Sequence, residues 1–123
     1  MSAHFPFLWR FRILRAIHAK GSLANRQVLG AQARIEGGQA QWNPCNTTEP
    51  WPRSSLYNTA GVRNYRTQAD GIAATAATFL NGNYPGIVRD FRAGTKTARA
   101  IVTDNAAEWD KWGTGAAKML SVL

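Results

Sequence analysis

Glu36 is followed at once by Gly37 and Gly38, then by the polar stretch Gln39-Ala40-Gln41-Trp42-Asn43-Pro44-Cys45-Asn46-Thr47-Thr48. The residues before it have helical spacing, so its carboxyl is expected at a helix C-terminus. That end carries about half a negative charge, and an acid placed there typically costs ~0.3–1 kcal/mol. The adverse field, with partial burial, favours the neutral acid over the carboxylate. A carboxyl held neutral is what a general acid needs to protonate a departing glycosidic oxygen. Two glycines behind it allow a sharp turn and the close approach of a bulky ligand to the backbone. The same three residues also read as an ordinary helix stop with a left-handed cap.

Glycosidases with two carboxylates hold them about 5–5.5 or about 6.5–9.5 Å apart. The candidate partner is Glu49, in Asn46-Thr47-Thr48-Glu49-Pro50-Trp51-Pro52. Asp70 reads as a helix cap, and Asp90, Asp104, Glu108 and Asp110 fall in helical segments placed away from the cleft. Chemistry with one carboxylate therefore fits better, the substrate supplying the missing group. Cys45 reads as a small buried hydrophobe, because His4 and His18, the partners a thiol nucleophile would need, belong to a separate N-terminal segment. Two histidines and one cysteine argue against a zinc site, so no metal and no cofactor is expected. There is no phosphate-binding glycine loop and no Ser-His-Asp set in a recognisable context. Trp42 and Trp51 flank the polar loop and suit either sugar stacking or core filling, whereas Trp109 and Trp112 read as structural.

The elements that must position these groups are mostly helical. Leu8, Phe11, Leu14 and Ile17 recur every three residues among Arg10, Arg12 and Arg15, which predicts a basic amphipathic helix within residues 1–20, ended by Gly21. Ser22 is the expected N-cap of a second helix that buries Ala24, Val28, Ala31 and Ile35 and stops at Gly37. Residues 39–66 read as an ordered loop, with Ser54-Ser55-Leu56-Tyr57-Asn58-Thr59-Ala60-Gly61-Val62-Arg63-Asn64-Tyr65 as a short hairpin. Thr67 through Asp70 resembles a capping box for a helix burying Ile72, Ala76, Phe79 and Leu80. Pro85 opens a helix carrying Ile87, Val88 and Phe91 to Gly94. A further helix is expected from Thr95, burying Ala98, Ile101 and Val102. Asn105 through Glu108 reads as another capping box, and a last helix occupies the C-terminus.

The 123 residues suffice for one domain with its own core, and a single cysteine excludes an internal disulfide. The arginines of the N-terminal segment interrupt any signal-peptide core, and no apolar run approaches the ~18 residues of a membrane span. The net charge of +8 is concentrated early: Arg10, Arg12, Arg15, Lys20, Arg26 and Arg34 precede the first acidic residue. Such a patch favours nucleic acid, anionic lipid or the acidic polymers of a bacterial envelope, and charge does not choose among them.

The string Glu36-Gly37-Gly38, Asn43-Pro44-Cys45-Asn46-Thr47-Thr48, Gly61-Val62-Arg63-Asn64-Tyr65, Asn81-Gly82-Asn83-Tyr84 and Trp112-Gly113-Thr114-Gly115, in that order, resembles the lysozyme-like superfamily. Within it the pattern is most similar to goose-type lysozymes, soluble lytic transglycosylases and the lysozyme-like domains of actinobacterial phages. It spans residues 22–117 and departs from the pattern at Cys45, where an apolar residue is usual; the basic start is not covered. The resemblance implies a mainly α (α+β) lysozyme-like domain over residues 1–123, and peptidoglycan as substrate, cut at the β-1,4 bond between N-acetylmuramic acid and N-acetylglucosamine. It implies Glu36 as the catalytic acid/base, with Asn46, Thr47, Thr48, Asn64 and Tyr65 as substrate-binding residues. It also implies a phage virion or the host wall and periplasm as the place of action, with virion or tail proteins as further partners.

Two other readings compete. One keeps the fold and makes the chain an inactive virion structural or wall-binding protein. The other is a nucleic-acid binder using the N-terminal arginines, which is disfavoured because no helix-turn-helix context accompanies them.

Overall fold

The computed structural model describes residues 8–123. The architecture is mainly α (α+β). Its elements are α1 Trp9–Ala16, α2 Leu23–Glu36, β1 Ser55–Leu56, β2 Arg63–Asn64, α3 Gln68–Phe79, α4 Pro85–Ala93, α5 Ala98–Asp104, α6 Ala106–Trp112 and α7 Ala116–Val122. Among the described residues no helix is long and apolar enough to cross a membrane.

Helix α2 carries the site and is defined at both ends. The Ser22 hydroxyl accepts from the Asn25 N–H at 3.2 Å, as expected of an N-cap. At the other end Gly37 adopts φ 61° and returns its N–H to Ala33 O at 2.9 Å, a conformation that suits glycine. The inward face is Asn25, Val28, Leu29, Ala31 and Gln32, packed between α1 on one side and α5 and α7 on the other. Ala24 and Ile35, expected inward, lie at the margin of that face and are half-buried.

Helix α1 corrects the spacing-by-three expectation. Its buried residues are Trp9, Ile13 and Leu14, continued by Ile17, while Leu8 is 49% exposed and Phe11 half-buried. Steps of three fall short of the 3.6-residue turn and wind around the helix, so the buried stripe follows the four-residue steps instead. The helix also stops at Ala16, not Gly21, and His18 turns the chain with φ 59°. Of the predicted N-terminal helix, residues 1–7 lie outside the described residues.

The core forms where these helices meet α3, α4, α5, α6 and α7, around Ile13, Leu14, Leu29, Phe79, Ile87, Phe91, Ile101, Trp109 and Met119. Phe79 stands at its aromatic centre, edge-on to Phe91 at 5.9 Å and Trp109 at 6.4 Å, and tilted over Trp112 at 4.7 Å. Leu80, expected inward, is the residue after the last turn of α3 and is 46% exposed.

The other caps divide. The Thr67 hydroxyl accepts from Asp70 N–H at 3.1 Å, and Pro85 opens α4. Helix α5 is capped by Thr97, whose hydroxyl accepts from Ala100 N–H at 3.1 Å, so it begins later than Thr95. The box expected at Asn105 and Glu108 does not form. Instead the Asn105 amide donates to Asp90 Oδ2 and Ile101 O, both at 2.8 Å. The Glu108 carboxylate accepts from Gly86 and Ile87 N–H, both at 3.0 Å, and thereby caps α4 from another helix.

Candidate active site

The loop after α2 is shaped by Asn43, which is fully buried. Its amide donates to Thr47 O and Arg63 O, both at 2.8 Å, and its Oδ1 accepts from Thr47 N–H at 2.9 Å. One side chain thus closes the Asn43–Thr47 turn and ties it to the β1–β2 hairpin, whose register pairs Ser55 with Asn64 and Leu56 with Arg63. From beneath, α3 meets the same loop at Gly71, where any Cβ would collide with the Trp42 carbonyl.

This turn delivers Asn46 to the end of α2. Asn46 takes φ 54°, a left-handed conformation that asparagine tolerates better than most residues. Its amide donates both to Glu36 O at 2.9 Å and to Glu36 Oε1 at 3.1 Å. The unpaired carbonyl at the helix end and the adverse acid beside it are therefore satisfied by one neutral donor group.

A second clamp comes from the opposite end of the chain. Gly113, at φ 99°, ends α6 and Gly115, at φ 89°, precedes α7; between them Thr114 is buried. Its hydroxyl donates to Glu36 Oε2 at 2.5 Å. Next to it the Trp112 indole N–H donates to Cys45 O at 2.9 Å, fixing the α6 end against the polar loop. Among the described residues no cation pairs with Glu36.

The Glu36 carboxyl is half-buried and adjoins, through Asn46, a concavity of about 70 Å³ lined by Asn46, Thr47, Thr48, Thr78, Tyr84 and Trp112. The lining is hydroxyl, amide and aromatic, with no ionised group. Such groups donate and accept at sugar hydroxyls and acetamides without titrating near neutrality. A larger hollow of about 550 Å³, between Gln27, Arg34, Arg99 and Leu123, contains no Asp or Glu side chain.

Not all the expected binding residues meet here. Asn46, Thr47 and Thr48 line the concavity, with Thr48 exposed. Thr47 is buried, its hydroxyl in short contact with that of Thr78 and accepting from Glu49 N–H at 3.2 Å. Asn64 and Tyr65, expected to face the substrate, brace the loop from behind. Asn64 Oδ1 accepts from Gln41 N–H at 2.9 Å. Tyr65 is only 1% exposed and its hydroxyl donates to Glu49 O at 2.7 Å; burial pushes the phenol up to about 12. Glu49 has its backbone held on both sides and a carboxylate that accepts no hydrogen bond among the described residues, and it is not among the residues lining the concavity.

Cys45 is fully buried; burial first, then the nearby Glu36 charge, raise its thiol well above the ordinary range, so it is no nucleophile. Trp42 packs on the core. Among the described residues no three His, Cys, Asp and Glu side chains cluster to hold a metal ion.

Sequence reasoning gave no role to Thr114, Thr78 or Tyr84, and read Trp112 as purely structural. A threonine between two glycines signals a tight turn, but nothing local pairs it with Glu36. No protein-family model, no curated protein and no solved structure matches the chain.

Proposed function

We propose that the protein is a lysozyme-like enzyme that cleaves peptidoglycan strands between N-acetylmuramic acid and N-acetylglucosamine, with Glu36 as its one acid/base. The observation that carries this reading is the double clamp on Glu36: Asn46 on one carboxyl oxygen, Thr114 on the other, and no paired cation among the described residues. A hydroxyl can donate to a carboxylate or accept from a carboxylic acid, so Thr114 serves both protonation states of a group that gives and then retakes a proton.

In the reaction, protonated Glu36 gives its proton to the bridging oxygen as the muramyl C1–O bond breaks. The resulting carboxylate then takes a proton from the nucleophile as that oxygen bonds to C1. The nucleophile is a water, giving hydrolysis, or the muramyl 6-hydroxyl, giving an anhydro sugar lighter by one water. The place of action is the host wall, reached on a phage virion or at lysis.

The test is clearing of purified actinobacterial cell walls by wild type and Glu36→Gln. General acid catalysis contributes typically ~10²–10⁴-fold, so the variant should lose at least about a hundredfold in rate. Equal clearing by both proteins removes Glu36 from the chemistry. A second reading, a wall-binding protein with a vestigial cleft, is favoured by the size of the concavity, well below the ~300–1,000 Å³ of typical ligand sites. It predicts that both proteins sediment with walls and neither clears them.

A further inference from the structure

The end of α1 and the loop into α2 take no part in the Glu36 site, yet they carry a built feature. An open hollow of about 530 Å³ lies between Phe11, Arg15, His18, Ala19, Lys20 and Gly21. Three of its six lining residues are basic side chains and none is acidic. The ion pairs among the described residues join Arg89 and Lys96 to Asp90 and Asp104, and none of them involves Arg15 or Lys20.

The backbone of the walls is fixed in place. His18 N–H donates to Arg15 O at 3.0 Å and Ala19 N–H to Leu14 O at 2.8 Å. Lys20 is held by its own N–H to Phe91 O at 3.1 Å and by the buried Asn25 amide to its carbonyl at 2.9 Å. From α4, Arg92 Nε donates to Ile17 O at 2.9 Å. The Arg26 guanidinium lies 4.6 Å from the centre of the Phe11 ring. The backbone that carries Arg15 and Lys20 is thus set before any anion arrives, and binding has only their exposed side chains left to order.

Two leucines distinguish among anions. Leu8, at the start of α1, is 49% exposed, and Leu23, at the start of α2, is 61% exposed. Leu8, Arg12 and Arg15 follow i, i+4, i+7 and share one face of α1. A solvated polymer or a nucleic acid backbone gives no use for exposed leucines beside its cations. A bilayer does, because phosphates meet the cations while leucines enter the headgroup–acyl boundary.

We propose that this hollow binds lipid phosphate groups and seats the protein as a peripheral body on an anionic bilayer. The full chain should co-sediment with phosphatidylglycerol vesicles and not with phosphatidylcholine vesicles, less so as salt rises. Arg15→Gln with Lys20→Gln should weaken that binding about tenfold or more, since each cation near such a surface contributes several-fold. Leu8→Ser with Leu23→Ser should weaken it at unchanged charge. Lys111→Gln with Lys118→Gln, exposed residues outside the hollow, should leave it intact. All these positions are at the surface, and melting curves verify that each variant folds.

Absence of a phosphatidylglycerol preference overturns the proposal, as does equal loss in the Lys111 and Lys118 pair. So does indifference to the leucine changes, or tighter binding to duplex DNA than to vesicles. Wall clearing is read separately, so either result leaves the role of Glu36 where its own test puts it.

Discussion

The Thr114 hydroxyl lies 2.5 Å from Glu36 Oε2 although 78 residues separate the two in the chain. It is buried and its backbone is set by glycines on both sides, so the hydroxyl has little freedom to point elsewhere. Thr114→Val keeps the shape and removes only that contact. Hydrogen bonds to charged groups are worth about 1.5–3 kcal/mol, so kcat should fall by roughly ten- to a hundredfold with KM little changed. Thr114→Ser should restore most of it. Wall-clearing kinetics of the three proteins measure the effect; an unaltered rate in the valine variant would leave Thr114 as a packing residue.

Asn46 combines a backbone role with a side-chain role, and two substitutions separate them. Asn46→Ala loses the amide that serves the Glu36 carbonyl and Oε1, and also strains a left-handed residue, a strain of about 1–2 kcal/mol. Asn46→Gly loses the amide alone. Denaturant unfolding should place the glycine variant about 1 kcal/mol above the alanine variant, while both show the same reduced clearing rate. If activity followed stability instead, the amide would have no part in orienting the acid.

The particular errors of the sequence reading share a cause. Glu36, Gly37 and Ser22 were legible because capping chemistry is local: each acts within one turn of its own helix. The same local logic failed at Asn105 and Glu108, where a capping-box spelling exists but tertiary partners, Asp90 and the N-terminus of α4, outbid the box. The resemblance turns Asn64 and Tyr65 toward the substrate, yet which side of the loop they occupy depends on hairpin register, which two-residue strands do not encode by alternation. Thr114 stands within the Trp112-Gly113-Thr114-Gly115 motif, but its pairing with Glu36 is a long-range contact that no local pattern states.

Tyr65 makes stability fall at alkaline pH. Burial keeps the folded phenol protonated up to about 12, while in the unfolded chain it ionises near 10. Below about pH 10 both states hold the proton and nothing changes. Between about 10 and about 12 only the unfolded state releases it, so unfolding becomes easier by up to about 3 kcal/mol across the window. Tyr65→Phe should flatten that slope relative to wild type, measured by urea unfolding at stepped pH. Tyr84, also raised by burial and then by Glu108, leaves a residual slope.

Glu108 offers a test of whether the fold supports the site at a distance. Helix α4 begins after Tyr84, which provides no side-chain cap of its own, so Gly86 and Ile87 N–H depend on the Glu108 carboxylate. An anion at a helix N-terminus adds favourable charge to two hydrogen bonds. Glu108→Ala should cost about 1–2 kcal/mol, by the usual magnitude of a lost cap, and Glu108→Gln less, because one amide oxygen still accepts. Tyr84 both precedes this first turn and lines the concavity beside Asn46, so fraying there displaces a wall of the site. The alanine variant should therefore show a raised KM together with its lower melting temperature, and the glutamine variant should recover both in step. A lowered melting temperature with unaltered kinetics would show that the wall formed by Tyr84 holds without its helix cap.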